Sequence, residues 1–402
     1  MSASPDDTGR YVAPLSAHWS LDASVAFLNH GSFGACPTHV LDFQSDIRKE
    51  LERDPVDFLV RELEPRLDDA RTALADFVGA DTDDLVFVPN ATAGANTVLR
   101  SLQFEAGDEI LITDHVYNAV GNAATFVADR WGARIVIAAV PFPLSEPQEF
   151  TEAVLAGVGP RTRLVMLDHV TSPTAIVCPI AATIAALSQR GIDTLIDGAH
   201  APGMVPVGLK AIGATYYTGN CHKWLCAPKG AAFLYVQRDK QALIRPLVIS
   251  HGANSPRTDR SRFQLEFAWT GTGDPSAALS VPESLRYLET LVAGGWPALM
   301  RRNTQLALAA RELICACLDV APPCPDSMIG SMASVPLPPA TAAPSKKRLM
   351  DPLHEALFRD FAIEVPVHPW PRAPQRLLRV SAQLYNDLSQ YQRLCEALTT
   401  LL

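Results

Sequence analysis

Short apolar runs punctuate the chain from about Ala70 to Val205, each followed by a stretch of helical composition. "DLVFVPN", "EILITDH", "RIVIAAV", "RLVMLDHV" and "DTLIDGAH" are apolar throughout instead of alternating. That pattern predicts strands covered by helices on both faces of a mostly parallel sheet. Helices are predicted over "RELEPRLDDARTALADFVG", "TAGANTVLRSL" and "PIAATIAALSQRG", the last closing on Gly191, and "GAAFLYVQRD" resumes the strand pattern. Beyond about residue 277 the order changes. "SAALSVPESLRYLETLVAGG" and "WPALMRRNTQLALAARELICACL" read as helices, a Pro/Ala/Ser-rich loop spans about 335–346, and "DPLHEALFRDFA", "RLLRVSA" and "DLSQYQRLCEALTTLL" read as helix, strand and helix. The expected organisation is an N-terminal arm (1–30) packing on the small domain, a large α/β domain (31–276) and a smaller α+β C-terminal domain (277–402).

The composition narrows the function classes. Of 402 residues, 48% are hydrophobic and 19% charged, as in globular proteins, and no apolar window is long enough to span a bilayer. The net charge is −9 with acids and bases interspersed, so no basic face awaits nucleic acid. The start "MSASPDDTGRYVAPLSAHW" has no basic or apolar leader, which places the chain in the cytoplasm as an expectation. Eight scattered cysteines form no disulfide framework, and Cys221 with Cys226 lacks a second pair for zinc; reduced thiols and no metal are expected.

Ligands of open parallel sheets lie beyond the carboxyl ends of the strands, and the chemistry-bearing residues collect there. Thr92 follows "LVFVPN", Tyr117 follows "ILIT", Ser172 follows "LVMLDHV", and Asp197 and His200 follow "TLI". Asn90 to Gly94 opens a helix, where free amides and a threonine hydroxyl suit a phosphate, or where Thr92 simply caps the helix. No G-x-G-x-x-G and no Walker lysine pattern is present, which removes support for dinucleotide or nucleoside triphosphate binding. Asp197, at the end of a buried strand, needs a cationic or hydrogen-bonding partner: a protonated ring nitrogen of a cofactor, or nearby backbone. Lys223 lies in "TGNCHKWLCAPKG", where Trp224 and Leu225 desolvate it and lower its pKa, the setting of a Schiff-base lysine; a salt-bridged loop lysine is the other reading. Lys229 is its rival, although "APKG" reads as a turn.

Taken in order, "FLNHGSFGACP", "LVFVPNATAGANTVL", "ILITDHVYNAV", "DHVTSPTAIVCPI", "DGAHAPGMVPV", "YYTGNCHKWLCAPKGAAFL" and "LLRVSAQLYN" resemble class V pyridoxal-phosphate-dependent enzymes of fold type I. Within that class the likeness is to the isopenicillin N epimerase-like branch, and it covers nearly the whole chain. The resemblance implies a large domain with a mostly parallel seven-stranded sheet, pyridoxal 5'-phosphate as cofactor, an amino-acid substrate and a homodimer with shared active sites. It implies that Lys223 bonds to the cofactor and is the catalytic residue, that Asp197 partners the pyridine nitrogen, and that His200 and Ser172 lie near the phenolic oxygen. Thr92, the Ala93 backbone, Asn220 and His222 would hold the phosphate, with Thr272 reaching the phosphate of the neighbouring subunit. Ring stacking falls on Tyr117, with His115 the alternative; Arg379 would grip the substrate carboxylate, and Asn29 and His30 would line the substrate side.

The implied chemistry starts with removal of the substrate Cα proton by Lys223, after which epimerisation, β-elimination as in a C–S lyase, or transamination share the same residues. Epimerisation needs a second acid/base, with His30, His115 and Tyr117 as candidates. "IEVPVHPWPRAPQRLLR" has no cysteine, and Cys324 and Cys395 fall outside it, which disfavours desulfurase-type persulfide chemistry. A non-catalytic binding protein on the same fold has no need of Lys223, Asp197, Thr92 and Arg379 together, and a nicotinamide-dependent dehydrogenase lacks its glycine fingerprint.

Overall fold

The computed structural model describes residues 15–340 and 350–402. The first fourteen residues of the expected arm and positions 341–346 of the Pro/Ala/Ser-rich loop lie outside the described residues.

Among the described residues, twelve strands run in chain order: β1 Ala26–Phe27, β2 Leu85–Val88, β3 Glu109–Thr113, β4 Arg134–Ala138, β5 Thr162–Asp168, β6 Asp193–Asp197, β7 Tyr216–Asn220, β8 Ala232–Val236, β9 Met332–Leu337, β10 Ile363–Glu364, β11 Val367–Pro369 and β12 Arg376–Ser381. β2 to β8 form one seven-stranded sheet in the order β2-β8-β7-β6-β5-β3-β4. β8 alone runs against its neighbours; the remaining six point the same way. This is the mostly parallel sheet with flanking helices that the apolar runs predict.

Alternate residues explain why those runs are apolar throughout. Leu111, Val165, Leu167 and Ile196 enter one buried cluster, while Ile110, Ile112, Leu164, Met166 and Leu195 enter another. Side chains of one strand alternate between faces, so both faces of the sheet are covered and neither can be polar. β7 is the strand the pattern does not announce, because "YYTGN" ends in residues that read as a loop; all five positions are nevertheless buried.

The C-terminal segment forms a separate antiparallel sheet, β11-β12-β9, against which the long helix Gly295–Leu318 packs, with the final helix Leu388–Leu401 lying on that helix. The expected helix over 276–295 is two pieces, Ser276–Leu279 and Val281–Thr290, with Pro282 in the first turn of the second. β1 pairs in parallel with β10, tying the N-terminal segment to the C-terminal one. Among the described residues no helix is long and apolar enough to cross a membrane.

Helix Ala91–Ser101 enters directly from β2 and packs onto β7. Gly94 makes that approach possible, since a Cβ there would lie 2.1 Å from Thr218 Oγ1. Thr218 cannot simply turn away, because it is buried and its hydroxyl donates to the Phe233 carbonyl at 2.9 Å. Alanine for glycine within an exposed helix stabilises by about 0.5–1 kcal/mol. Gly94→Ala is expected to do the reverse, lowering stability by about 1–3 kcal/mol through overpacking, read as a lower urea midpoint with an unchanged m-value.

Candidate active site

Five strand ends meet on one rim, and a cavity of about 580 Å³ opens there. Its floor is set by register. Asp168 closes β5 and Asp197 closes β6, and the two are direct neighbours across the parallel pair. Asp197 Oδ1 accepts the Ala199 N–H at 3.0 Å. Burial raises both carboxyl pKa values, and the charge of Asp197 pushes Asp168 up further. Asp168 Oδ2 has no partner although it is buried. Sequence reasoning missed Asp168, yet its signal was the same as that of Asp197: "LVMLD" and "TLID" are both apolar strands ending in an acid.

Lys223 follows β7 and its Nζ stands 3.1 Å from His200 Nε2. Burial, and then the Arg379 charge, bring the amine down to about 7, against the opposing pull of Asp197 and Asp168. His200 is held well below its usual range by burial and by Lys223, so its ring is neutral; its buried Nδ1 has no partner. Both residues line the cavity.

At another edge, two asparagines complete the start of helix Ala91–Ser101. Asn90 Oδ1 accepts the Ala93 N–H at 2.8 Å, and Asn220 Oδ1 accepts the Ala91 N–H at 2.8 Å. The Ala93 amide expected to meet a phosphate is therefore already taken by the cap. Thr92, Asn220 and His222 do line the cavity. His222 Nδ1–H donates to the Ala231 carbonyl at 3.2 Å, and burial lowers its pKa to about 4, so it is neutral.

Tyr117 lines the cavity, 44% exposed, at the start of helix Asn118–Trp131. The alternative stacking residue, His115, is fully buried elsewhere, bonded to Thr174 Oγ1 at 2.8 Å and packed edge-on against Trp370. Thr272 is exposed and does not line this cavity.

The substrate-side expectations change most. Arg379 is only 1% exposed; Nη1 donates to Ser172 O at 2.6 Å and Oγ at 3.1 Å, and Nη2 donates to Ser32 Oγ at 3.0 Å. The wall is thus formed by Ser32 and Ser172, with the guanidinium behind them. Ser172, expected by the phenolic oxygen, lines the cavity and also contacts Arg379. Asn29 and His30 do not line the cavity either. Asn29 accepts the Ser32 hydroxyl at 2.6 Å and donates to Glu364 at 2.8 Å, holding Ser32 in place. His30 is completely buried, packs at a tilt against Trp224 and, neutral, donates Nε2–H to the Lys223 carbonyl at 3.0 Å while Nδ1 accepts from Tyr385 at 2.7 Å. Its role is to fix the Lys223 backbone. Ser32, Phe33 and Lys229 are further cavity residues that sequence reasoning passed over as site residues.

The donor set fits pyridoxal phosphate. A buried amine whose pKa is brought down to about 7 can bond to an aldehyde, strand-end carboxyls can face a ring nitrogen, and the orphaned Asp168 Oδ2 and His200 Nδ1 ask for a polar guest.

Comparison with known proteins agrees. The family model described as aminotransferase class-V matches residues 53–325. An isopenicillin N epimerase of Amycolatopsis lactamdurans is 35% identical over 396 residues, covering 95% of this chain and 96% of that one. A probable chloroplastic L-cysteine desulfhydrase of Arabidopsis thaliana is 31% identical, covering 94% and 83%. Among solved structures, the cystine C-S lyase C-DES in complex with its product cysteine persulfide superposes with a TM-score of 0.76 at 21% identity, covering 94% of this chain and 97% of that one. The cysteine desulfurase CsdA of Escherichia coli gives 0.76 at 18% identity, covering 98% and 100%. These two likenesses establish the fold.

The strand-end pair makes a pH-dependent prediction. A carboxyl whose pKa is raised by folding costs stability as pH rises above its unfolded value near 4, and the loss grows until the folded pKa is reached. Asp168→Asn removes that loss. The cofactor-free variant is expected to gain on the parent between pH 4 and pH 7, measured by urea unfolding at each pH. A gain that is the same at both pH values would show that Asp168 is not held protonated by its surroundings.

Proposed function

The chain belongs to the aminotransferase class-V family, and from that membership we propose that it acts on the Cα of an amino-acid substrate as an isopenicillin N epimerase-like enzyme. It is a pyridoxal-phosphate-dependent enzyme. The observation that carries the reading is the buried Lys223 amine, brought to about 7 and facing Asp197 and His200 in one cavity. When bound, the cofactor supplies the electron sink that lets a Cα–H bond break.

Each residue then has a task. Lys223 would hold the cofactor through Nζ and would accept the substrate Cα proton there, a task suited to a pKa near neutrality. Asp197 would face the ring nitrogen, with Asp168, its neighbour across the ladder and driven by burial to keep its proton, beside it. Thr92, Asn220 and His222 would face the phosphate. Ser32 and Ser172, held by Arg379, orient the substrate carboxylate. Inversion at Cα requires two proton carriers; of His30, His115 and Tyr117, Tyr117 is the one on the cavity wall.

β-Elimination in the manner of the C–S lyases and desulfhydrases is the second reading, supported by relatives at 28–32% identity. No cysteine lines the cavity among the described residues, so a persulfide-forming cysteine of the desulfurase kind finds no support. A homodimer fits the exposed side chains of Phe33, Leu247, Val248 and Ile249, between 47% and 74% exposed, with Thr272 free to reach a second copy.

Added pyridoxal phosphate is expected to give a visible absorption band that borohydride converts into a stable adduct, both lost in Lys223→Ala. A colourless protein that takes up no cofactor refutes the assignment. L-amino acids in heavy water then separate the activities: Cα deuterium with loss of optical activity and no keto acid marks the epimerase, whereas pyruvate with released thiol or sulfide marks the lyase. Sedimentation of the full chain as a monomer at micromolar concentration would remove the shared-site dimer.

A further inference from the structure

We infer that Lys229 supplies the full positive charge opposite the cofactor phosphate, acting as a binding residue at that end of the cavity. The inference rests on the pyridoxal phosphate reading above and adds a residue to it. Lysine pairing gives the first indication. Five lysines occur among the described residues. Lys49, Lys210 and Lys240 each contact a carboxylate, Asp46, Asp81 and Asp193 respectively, at 2.6–2.8 Å. The two with no carboxylate within ion-pair distance, Lys223 and Lys229, both line the cavity.

Location places Lys229 at the phosphate end. β7 and β8 pair Asn220 with Ala232, and the Cys221 and His222 amides donate to the Ala231 carbonyl at 3.0 and 3.3 Å. Residues 229–231 therefore lie alongside 220–222, next to the asparagine that holds the first amide of helix Ala91–Ser101. Lys229 Nζ donates to the Gly34 carbonyl at 3.1 Å, which leaves two ammonium hydrogens for an anion. Gly34 itself must be glycine, with φ +69° and the position of a Cβ only 2.0 Å from the His222 carbonyl oxygen. The lysine is thus moored to a segment that is pressed against the phosphate loop.

Charge balance supplies the need. A phosphate monoester carries about −1.5 to −2 at neutral pH. Thr92 and Asn220 are neutral, His222 is held neutral by burial, and one amide of the helix start is capped by Asn90. A helix terminus offers roughly half a charge. Lys223, bonded to the cofactor, is spent elsewhere, and Arg379 stands behind the serines of the substrate wall. Lys229 is the remaining lysine on the wall, and its own charge is among the effects that depress His222.

The test compares two cofactor forms on the full chain stripped of cofactor: pyridoxal phosphate and pyridoxal, which lacks the phosphate. Lys229→Met is expected to weaken pyridoxal phosphate by about tenfold or more and to leave the pyridoxal dissociation constant unchanged, while Lys229→Arg restores most of the loss. Equal weakening of both forms would make Lys229 a structural mooring for Gly34 and overturn the proposal. An unchanged cofactor affinity with a raised KM would overturn it too, assigning the charge to an anionic group of the substrate. If the parent chain binds neither form, the cofactor reading fails and the proposal with it; if the parent prefers the phosphorylated form and Lys229→Met does not alter that preference, the cofactor reading stands and this proposal fails.

Discussion

The site depends on one constraint: an amine, two carboxyls and an imidazole are confined to a buried space at the ends of neighbouring strands. Burial disfavours every charged form, so Lys223 and His200 are driven toward neutrality while Asp168 and Asp197 are driven to keep protons. The same low-dielectric surroundings strengthen each remaining interaction. Such an arrangement is costly in an empty fold and becomes favourable when a polar guest satisfies it. The parallel register of β5 and β6 enforces it, because pairing Asp168 with Asp197 leaves neither carboxyl free to move apart without breaking the sheet.

The surrounding structure serves that constraint from behind. His30 comes from the N-terminal segment, is buried against Trp224, and ties the Lys223 carbonyl to Tyr385 of the C-terminal part. Asn29 and Glu364 brace Ser32, and Ser32 braces Arg379, which β12 delivers. The β1–β10 pairing brings these two distant parts of the chain together beside the cavity. The reactive lysine is therefore fixed through its backbone by neutral hydrogen bonds, while its amine is left free for chemistry.

The sheet was legible in the chain because continuous apolar runs have a direct physical cause, coverage of both faces, and the strand-end polar residues followed from it. Legibility failed where meaning depends on which neighbour a side chain meets. β7 hides because Thr218 and Asn220 are buried by helix Ala91–Ser101 while Gly219 lies against Phe233 and Pro202, contacts no local pattern reveals. His30 and Asn29 lie in the right segment but point away from the cavity, since a helix of four residues turns successive side chains in different directions and gives the wall to Ser32 and Phe33. Ala93 was expected to offer its amide, and Asn90 had already claimed it. Asp168 carried the same signal as Asp197, and a strand-end acid becomes chemically informative only when its neighbour across the ladder is known.

The choice among reactions is a matter of proton management and not of cofactor binding. All the residues proposed above to face the ring, the phosphate and the carboxylate would serve an epimerase and a lyase alike. What differs is whether the carbanion meets a second proton donor before a β-substituent departs. A substrate without a leaving group at Cβ removes the competition altogether, so the same wall can host either chemistry according to what enters. Of the three candidates for a second proton carrier, Tyr117, half exposed at the start of its helix, is the one on the wall. In the dimer proposed above, that exposure would leave Tyr117 within reach of the second subunit, and the stereochemical outcome would depend on how the two copies enclose it.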